Sequence, residues 1–186
     1  GTRHTGSSQD DPKRGIGAAR RWVERELGAI SKEFHEGRLQ VTTHGHSFLG
    51  EPRFPGDGDV INVVATLPGS DPERLVVVSG HLDSRASDPM DAESDAPGAN
   101  DDASGVAAVL EAARILGGCR PRATLVFLVV EGEEQGLLGS RGEALSWKEE
   151  GRKIAGMFTL DIVGGAVGSA MQADPLALRV YTRRAR

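Results

Sequence analysis

The sequence is poor in cysteine. Cys119 is the only cysteine among 186 residues, so the chain can form neither an internal disulfide nor a cysteine-based metal site. It lies in a glycine-rich turn without a neighbouring histidine or acid, and we interpret it as a bystander thiol. A single cysteine does not discriminate between a cytosolic and a secreted protein.

The sequence also lacks long hydrophobic runs and an excess of positive charge. No stretch approaches the ~20 apolar residues of a membrane-spanning helix. The formal net charge is -5, which argues against a nucleic-acid partner, because phosphate binding needs a predominantly basic surface. The hydrophobic content of 38% is ordinary for a globular protein. The length predicts a single domain over residues 1–186.

Apolar periodicity divides the chain into alternating helices and strands. The runs Leu75–Ser79 and Thr124–Val130 show no polar alternation, which is typical of strands covered on both faces. Val60–Leu67 and Leu75–Ser79 are separated by a short turn and are predicted to pair as adjacent antiparallel strands. The remaining predicted elements are a helix from Pro12 to Gly37 capped by Asp11, a strand over 39–48, helices over 104–116 and 137–150, a buried strand over 157–163, and one more element over 176–182. This order predicts a three-layer α/β/α sandwich with a mixed, mostly parallel central sheet.

Polar side chains recur where the predicted strands end. His81 follows one strand, Asp101 opens a helix, and Glu134 follows another strand. Asp161 lies in or at the mouth of the predicted strand 157–163, where an unpaired carboxylate would be costly to bury. Strand ends of this kind meet at one edge of a sheet. Imidazole and carboxylate groups are ligands of divalent cations, so the pattern predicts a metal site, with Asp101 as the carboxylate shared by two ions.

Two further acids fit supporting roles at such a site. Asp83 is suited to accept the second ring proton of His81, because a ligating imidazole usually donates its free N–H to a carboxylate. Glu133 is next to Glu134 and is the candidate general base, which would take a proton from water and return it to the leaving amine.

Each of these pairs also has an ordinary structural explanation. His81 and Asp83 could be a structural hydrogen-bonded pair, and Asp101–Asp102 could cap a helix. Glu133–Glu134 could be the solvated start of a helix. It is the combination, in this order and at these strand ends, that favours a metal site. His44 and His46 lie two apart on a predicted strand, and we assign them to a sheet edge rather than to a metal.

Four motifs contain the candidate site residues: GHLDS at 80–84, APGANDDASG at 96–105, EGEEQGLLGS at 131–140 and LDIVG at 160–164. Together they resemble peptidase family M28, the co-catalytic zinc aminopeptidases of clan MH. Arg3–Thr5 and Gly15–Leu27 also look like the segment that precedes the core of that family.

The resemblance implies a zinc-peptidase domain with two zinc ions bridged by Asp101 and a water or hydroxide. One ion would be completed by His81 and Asp161, and the other by Glu134 and a further histidine. Glu133 would be the general base, Asp83 the partner of His81, and the Asp101–Asp102 peptide bond would be cis.

The resemblance also implies a function. The expected activity is that of an aminopeptidase, a hydrolase that cleaves the N-terminal peptide bond of peptides or proteins. Glutaminyl cyclisation, dipeptide hydrolysis and a non-catalytic binding role are alternatives on the same scaffold. The family favours a secreted or periplasmic location, although the chain begins at Gly1 with neither Met nor a hydrophobic signal segment. Targeting information, if it existed, is therefore expected to have been removed.

One departure from the family pattern concerns the last histidine ligand. No histidine follows His81, and the four earlier ones match no ligand position. Two explanations stay open. We favour a fragment that is incomplete at both ends and lacks its C-terminal part, because every other ligand is retained; the alternative is a degenerate homologue. In either case the chain is expected to hold one zinc ion or none, preferentially at His81, Asp101 and Asp161, and to hydrolyse peptides poorly.

Overall fold

A mixed sheet of five strands forms the centre of the structure, a computed structural model that describes residues 1–165. The predicted element over 176–182 lies outside the described residues. The elements, in chain order, are α1 (Gly15–Phe34), β1 (Gln40–Phe48), β2 (Gly58–Leu67), β3 (Asp71–His81), α2 (Ala103–Ile115), β4 (Ala123–Val130), α3 (Leu138–Glu149) and β5 (Lys153–Thr159).

The strand order is β1-β2-β4-β3-β5, so the predicted antiparallel pairing of β2 with β3 is wrong. β4 lies between them, antiparallel to β2 and parallel to β3. The short connection after β2 passes over the start of β4, where the Gly69 N–H donates to Thr124 Oγ1 and the Ser70 N–H donates to the Pro121 carbonyl. A three-residue link is therefore long enough to step across one strand. The almost entirely apolar β4 gains a neighbour on each side.

Helices cover both faces of the sheet, as the three-layer prediction requires. α1 and α2 pack on one face, where Val23 and Leu27 meet Val109 and side chains of the sheet such as Phe127. α3 lies on the other face, where Trp147 completes an apolar cluster with residues of β2, β3 and β4. None of the described helices is both long and apolar enough to cross a lipid bilayer.

The first helix begins three residues later than predicted. The Asp11 carboxylate accepts hydrogen bonds from the N–H groups of Lys13 and Arg14, so it caps a turn rather than the helix. α1 then starts at Gly15, whose φ of +78° is in the left-handed region that favours glycine. The helix ends as predicted, with Gly37 at φ +76° just beyond Phe34.

The last strand differs from its prediction in extent and in burial. β5 covers Lys153–Thr159 rather than 157–163, and its residues are mostly exposed. It pairs with β3 at one end of the strand order, and in the described part of the chain no strand lies beyond it. Asp161 therefore follows the strand, with a side chain that is 44% exposed. The predicted burial of the Asp161 carboxylate is therefore wrong.

The start of α2 lies directly against the end of β3. A Cβ atom added to Gly80 would lie 2.8 Å from the carbonyl carbon of Gly105, and one added to Gly105 would lie 2.3 Å from the Leu160 carbonyl oxygen. Both contacts are closer than a side chain permits, so both positions require glycine. This close packing brings the beginning of α2 to the edge of the sheet where β3 and β5 end.

Candidate metal centre

The carboxyl ends of β3, β4 and β5 meet at one edge of the sheet. In the parallel register His81 pairs with Val130, and Ser79 pairs with Thr159. The residues that follow β4 and β5, including Asp161, are therefore level with His81. The loop over 82–102 supplies Asp101 to the same edge at the start of α2. The prediction that strand ends converge is confirmed.

His81, Asp101 and Asp161 form a cluster at this edge. His81 Nε2 lies 3.1 Å from Asp101 Oδ1 and 3.9 Å from Asp161 Oδ1. One possible ligand atom from each residue lies within 4.8 Å of the others. The imidazole is buried at 4% exposure, whereas Asp101 is 49% exposed and Asp161 is 44% exposed. The cluster therefore has a buried side and a side that is open to solvent.

Glu134 lies close to this cluster but is not part of it. Its Oε2 accepts a hydrogen bond of 2.7 Å from Arg85 Nε. Burial raises the pKa of Glu134 and the negative charge of Asp101 raises it further, while Arg85 opposes both effects. No motif in the sequence predicts a role for Arg85, which is a lone cation in the acidic loop over 84–99. Glu134 as a metal ligand stays a prediction.

Asp83 connects His81 to the loop over 131–137. His81 Nδ1 lies 3.2 Å from the Asp83 carbonyl oxygen and 3.5 Å from its carboxylate. The same carboxylate accepts hydrogen bonds from the Glu133 N–H at 3.2 Å and the Glu134 N–H at 3.0 Å. Burial lowers the pKa of His81, but the hydrogen bond and charge of Asp83 outweigh it and raise that pKa to about 10. Because Nδ1 faces Asp83, Nε2 is the nitrogen available to a metal ion.

Glu133 is half-buried beside these charged groups. Burial is the main cause that raises the pKa of its carboxyl group; the positive charge of His81 lowers that pKa, and the charges of Asp83 and Glu134 raise it. A carboxylate with a raised pKa accepts a proton more readily near neutral pH, which is what a general base requires.

Asp102 has a structural role that complements its neighbour. It is fully buried and accepts hydrogen bonds from the N–H groups of His81, Gly105 and Ile162. Burial raises its pKa to about 6, against the lowering effect of the His81 and Gly105 hydrogen bonds and of the His81 charge. The peptide bond between Asp101 and Asp102 is cis, as the resemblance implies. The helix-cap interpretation of this pair therefore holds for Asp102, while Asp101 faces the cluster.

A second buried acid lies behind the centre. Glu131 is fully buried and forms an ion pair with Arg20 of α1 at 2.9 Å. It also accepts a hydrogen bond from the Ile61 N–H at 3.2 Å. Burial raises its pKa to about 7, although Arg20 opposes that shift. This ion pair joins the end of β4 to α1, and no local sequence pattern predicts it, because its partners lie 111 residues apart.

The residues present at the cluster fit a divalent metal ion. The set consists of one imidazole with an oriented ring nitrogen and two carboxylates on the solvent side, which are ligand types of zinc. The surrounding acids are close enough to raise one another's pKa values, which indicates an excess of negative charge that a cation would relieve.

His44 and His46 lie on β1, the edge strand, as predicted. Both contact Glu143 of α3, at 2.9 Å and 3.2 Å respectively. In the described residues they are not part of the metal-ligand cluster.

Comparison with known proteins identifies the family and relatives of this sequence. The family model described as Peptidase family M28 matches residues 62–181. A probable zinc metalloprotease of Pyricularia oryzae is 48% identical over 182 residues, which cover 97% of this chain and 36% of that protein. A probable zinc metalloprotease of Leptosphaeria maculans is 45% identical over 184 residues, which cover 98% of this chain and 42% of that protein. The chain thus spans well under half the length of these curated relatives.

Solved structures share the fold at lower sequence identity. The LapA aminopeptidase of Legionella pneumophila has a TM-score of 0.58 and 20% identity, over 85% of this chain and 38% of that one. The glutaminyl cyclase of Porphyromonas gingivalis has a TM-score of 0.63 and 21% identity, over 90% of this chain and 56% of that one. These similarities establish a common α/β fold.

Proposed function

The chain belongs to peptidase family M28, and from this premise we propose that it is the catalytic part of a zinc aminopeptidase that cleaves the N-terminal peptide bond of peptides or proteins. The observation that carries the proposal is the cluster of His81, Asp101 and Asp161, with Glu133 half-buried beside it.

His81, Asp101 and Asp161 would hold one zinc ion, and Asp101 and Glu134 would contribute to holding a second. A zinc ion at such a site supplies Lewis-acid polarisation of the scissile carbonyl and lowers the pKa of a water molecule towards neutrality. The possible ligand atoms of His81, Asp101 and Asp161 lie within 4.8 Å of one another, whereas Glu134 is paired with Arg85. We therefore propose that the first of the two positions binds zinc more tightly.

The protein's own groups account for the movement of the proton. Asp83 holds the His81 ring so that Nε2 faces the cluster, and it fixes the backbone of Glu133 through the 3.2 Å hydrogen bond. The Glu133 carboxylate, with its raised pKa, takes a proton from the attacking water and returns it to the leaving amine. Proton transfer by a positioned carboxylate contributes about 10² to 10⁴ in rate.

Cyclisation of N-terminal glutamine is the second candidate, because glutaminyl cyclases share the fold. The higher identity to proteins named as probable zinc metalloproteases supports peptide hydrolysis instead. Secretion, which the resemblance implies, stays a prediction.

The proposal is tested with Glu133→Gln in the zinc-loaded full-length protein. Hydrolysis of peptides with a free N-terminus should fall by about 10² to 10⁴, because the proton acceptor is lost, while the zinc content stays unchanged. Glu149→Gln, at an exposed position near the end of α3, serves as the matched control and should keep full activity.

Three substrates distinguish the candidate functions. Peptides with a free N-terminus should be cleaved, whereas peptides with a blocked N-terminus should not be. Equal cleavage of both would exclude an aminopeptidase, and cyclisation of N-terminal glutamine peptides without hydrolysis would support the second candidate. Unchanged turnover by Glu133→Gln would rule out the proposed general base.

A further inference from the structure

A short segment near the start of the chain packs against both loops that carry residues of the candidate metal centre. Residues 2–5 pack against the loop over 82–102, which contains Asp83 and Asp101, and against the loop over 131–137, which contains Glu133 and Glu134. His4 and Thr5 of this 2–5 segment are buried, at 0% and 1% exposure.

The side chain of Arg3 joins the two ends of the 82–102 loop. Its Nε donates a hydrogen bond of 2.8 Å to the carbonyl of Leu82, the residue between His81 and Asp83. Its Nη2 donates one of 3.0 Å to the carbonyl of Gly98, and Nη1 donates to the neighbouring carbonyl of Pro97. One rigid guanidinium thus spans both ends of the loop, an arrangement that the single ammonium group of lysine does not reproduce.

The backbone of the segment reinforces the same connection. The Arg3 N–H donates to Ser84 Oγ at 3.0 Å, and the Ser84 N–H donates to the Arg3 carbonyl at 3.3 Å. Ser84 Oγ in turn donates to the Ala96 carbonyl at 2.6 Å, and Thr2 forms a β-bridge with Ala96. The segment therefore lies between the outgoing and returning parts of the loop and bonds to both.

Thr5 bonds to the second loop, and His4 bonds to the first loop while lying in contact with the second. The Thr5 hydroxyl donates a hydrogen bond of 2.7 Å to Gln135 Oε1, and the Gln135 amide lies 3.1 Å from His4 Nε2. His4 Nδ1 accepts from the Gly6 N–H at 2.9 Å, so Nε2 carries the proton and faces the Pro89 carbonyl at 2.8 Å. Gln135 is buried and directly follows Glu134.

We propose that Arg3, His4 and Thr5 are positioning residues of the metal centre, which fix the spacing between the loop of Asp83 and Asp101 and the loop of Glu133 and Glu134. This inference deepens the proposed function and rests on it. The two loops touch directly through the Asp83 carboxylate, and the 2–5 segment adds a second connection behind it. Misplacement of either loop would move several groups of the centre at once.

Two conservative substitutions test the inference. Arg3→Lys keeps the charge and removes the planar fork, and Thr5→Val keeps the shape and removes the hydroxyl donor. Each should weaken zinc binding about 10-fold to 100-fold, the effect typical of lost outer-shell support around metal ligands. Affinity is measured by competition with a chromogenic chelator, at a temperature where circular dichroism shows every variant to be folded.

Matched controls separate positioning from a general loss of stability. Arg38→Lys removes a hydrogen bond of 2.9 Å from a guanidinium to the Gly117 carbonyl, and Ser31→Ala removes one of 2.6 Å from a buried hydroxyl to the Leu39 carbonyl. Both sites are remote from the centre. The two control variants should lower the unfolding midpoint as much as the test variants do, and they should change the zinc affinity less than 2-fold. Equal weakening of zinc binding by tests and controls, or none by the tests, overturns the inference.

A metal-independent measurement keeps the inference separate from the proposed function. In zinc-free protein, Arg3→Lys and Thr5→Val should accelerate amide hydrogen exchange at Glu133 and Glu134, whose N–H groups bond to Asp83. Arg38→Lys should leave those rates unchanged. If the wild-type protein binds no zinc, the proposed function fails, and the exchange rates still decide whether the 2–5 segment positions the loops. Unchanged rates in both test variants contradict the inference, even if zinc binds normally.

Discussion

The neighbouring aspartates Asp101 and Asp102 lie in opposite environments. Asp101 is half-exposed and faces His81 Nε2 at 3.1 Å. Asp102 is buried and accepts three backbone hydrogen bonds, from the end of β3, from α2 and from the segment after β5. One side chain is therefore available to a metal ion, while the other holds together the backbone segments that carry the proposed metal ligands.

Alanine substitution should separate these two roles. In zinc-free protein, Asp102→Ala should lower the free energy of unfolding by about 2 kcal/mol or more, because the helix loses its cap and buried N–H groups lose their acceptor. Asp101→Ala should change it by less than about 0.5 kcal/mol, as expected for an exposed side chain. Urea unfolding measures both changes in free energy.

In a zinc titration Asp101→Ala should lose most of its affinity for zinc. Equal losses of stability, or wild-type zinc binding by Asp101→Ala, would contradict this division.

The sequence was informative about contacts that follow directly from local context. The clustering of His81, Asp101 and Asp161 could be predicted because each adjoins a strand or helix end, and parallel strand ends converge. The contributions of Arg3, Arg85 and the other supporting side chains could not be predicted in this way. Their partners lie about 50 to 130 residues away in sequence, and no local pattern encodes a contact of that range.

At the scale of elements, a buried carboxylate joins α3 to the edge strand β1. Glu143 is 1% exposed and accepts from His44 Nδ1 at 2.9 Å, from His46 Nε2 at 3.2 Å and from the Asn62 amide at 3.3 Å. The hydrogen bond to Glu143 raises the pKa of His44, against its partial burial, and the charges of Glu143 and Glu150 add to the rise. Burial raises the pKa of Glu143, but its bonds to His44, His46 and Asn62 leave that pKa below its ordinary value.

The direction of these shifts predicts how the link depends on pH. A histidine whose pKa is raised by folding contributes stability that is complete below its unfolded pKa, about 6.5, and is lost as the pH rises through the folded value. The lowered pKa of Glu143 contributes stability above its unfolded value, about 4.3, which is lost as the pH falls. The contact between Glu143 and β1 should therefore stabilise the fold most between about pH 4.3 and 6.5.

His44→Gln tests this pH dependence. Its loss of unfolding free energy should be greater at pH 5.5 than at pH 9, by several tenths to about 1 kcal/mol, because the ring is 41% exposed and its charge is screened by solvent. Urea unfolding at the two pH values gives the difference. Lys153→Gln breaks an exposed pair with Glu73 and should show no pH dependence between these values. An equal effect of His44→Gln at both values would show that its charge does not contribute.

At the scale of the whole molecule, layer order was easier to predict than strand order. Continuous apolar runs such as Thr124–Val130 require cover on both faces, and this alone leads to three layers. Strand order depends on which strand inserts between two others. A turn of a few residues after β2 fits both a hairpin and a step across the start of β4. Hydrophobic periodicity does not discriminate between the two. The burial of β5 was overestimated for a related reason. Its apolar residues do not reveal that, among the described strands, it pairs with β3 at the end of the sheet order.

Because the cluster joins the end of β3, the start of α2 and the segment after β5, occupancy by zinc should stabilise the whole fold. An ion that binds only the native state, at 100 times its dissociation constant, adds about 2.7 kcal/mol to the free energy of unfolding. For a chain of this size that corresponds to a rise of about 5–10 °C in the midpoint. Calorimetry with zinc and with EDTA measures the difference.

His81→Gln should abolish the rise in the unfolding midpoint, whereas His46→Gln should keep it, because His46 lies on β1 against Glu143. If His46→Gln instead removed the rise and His81→Gln retained it, the stabilising ion would be bound at the edge of the sheet and the proposed centre would be wrong.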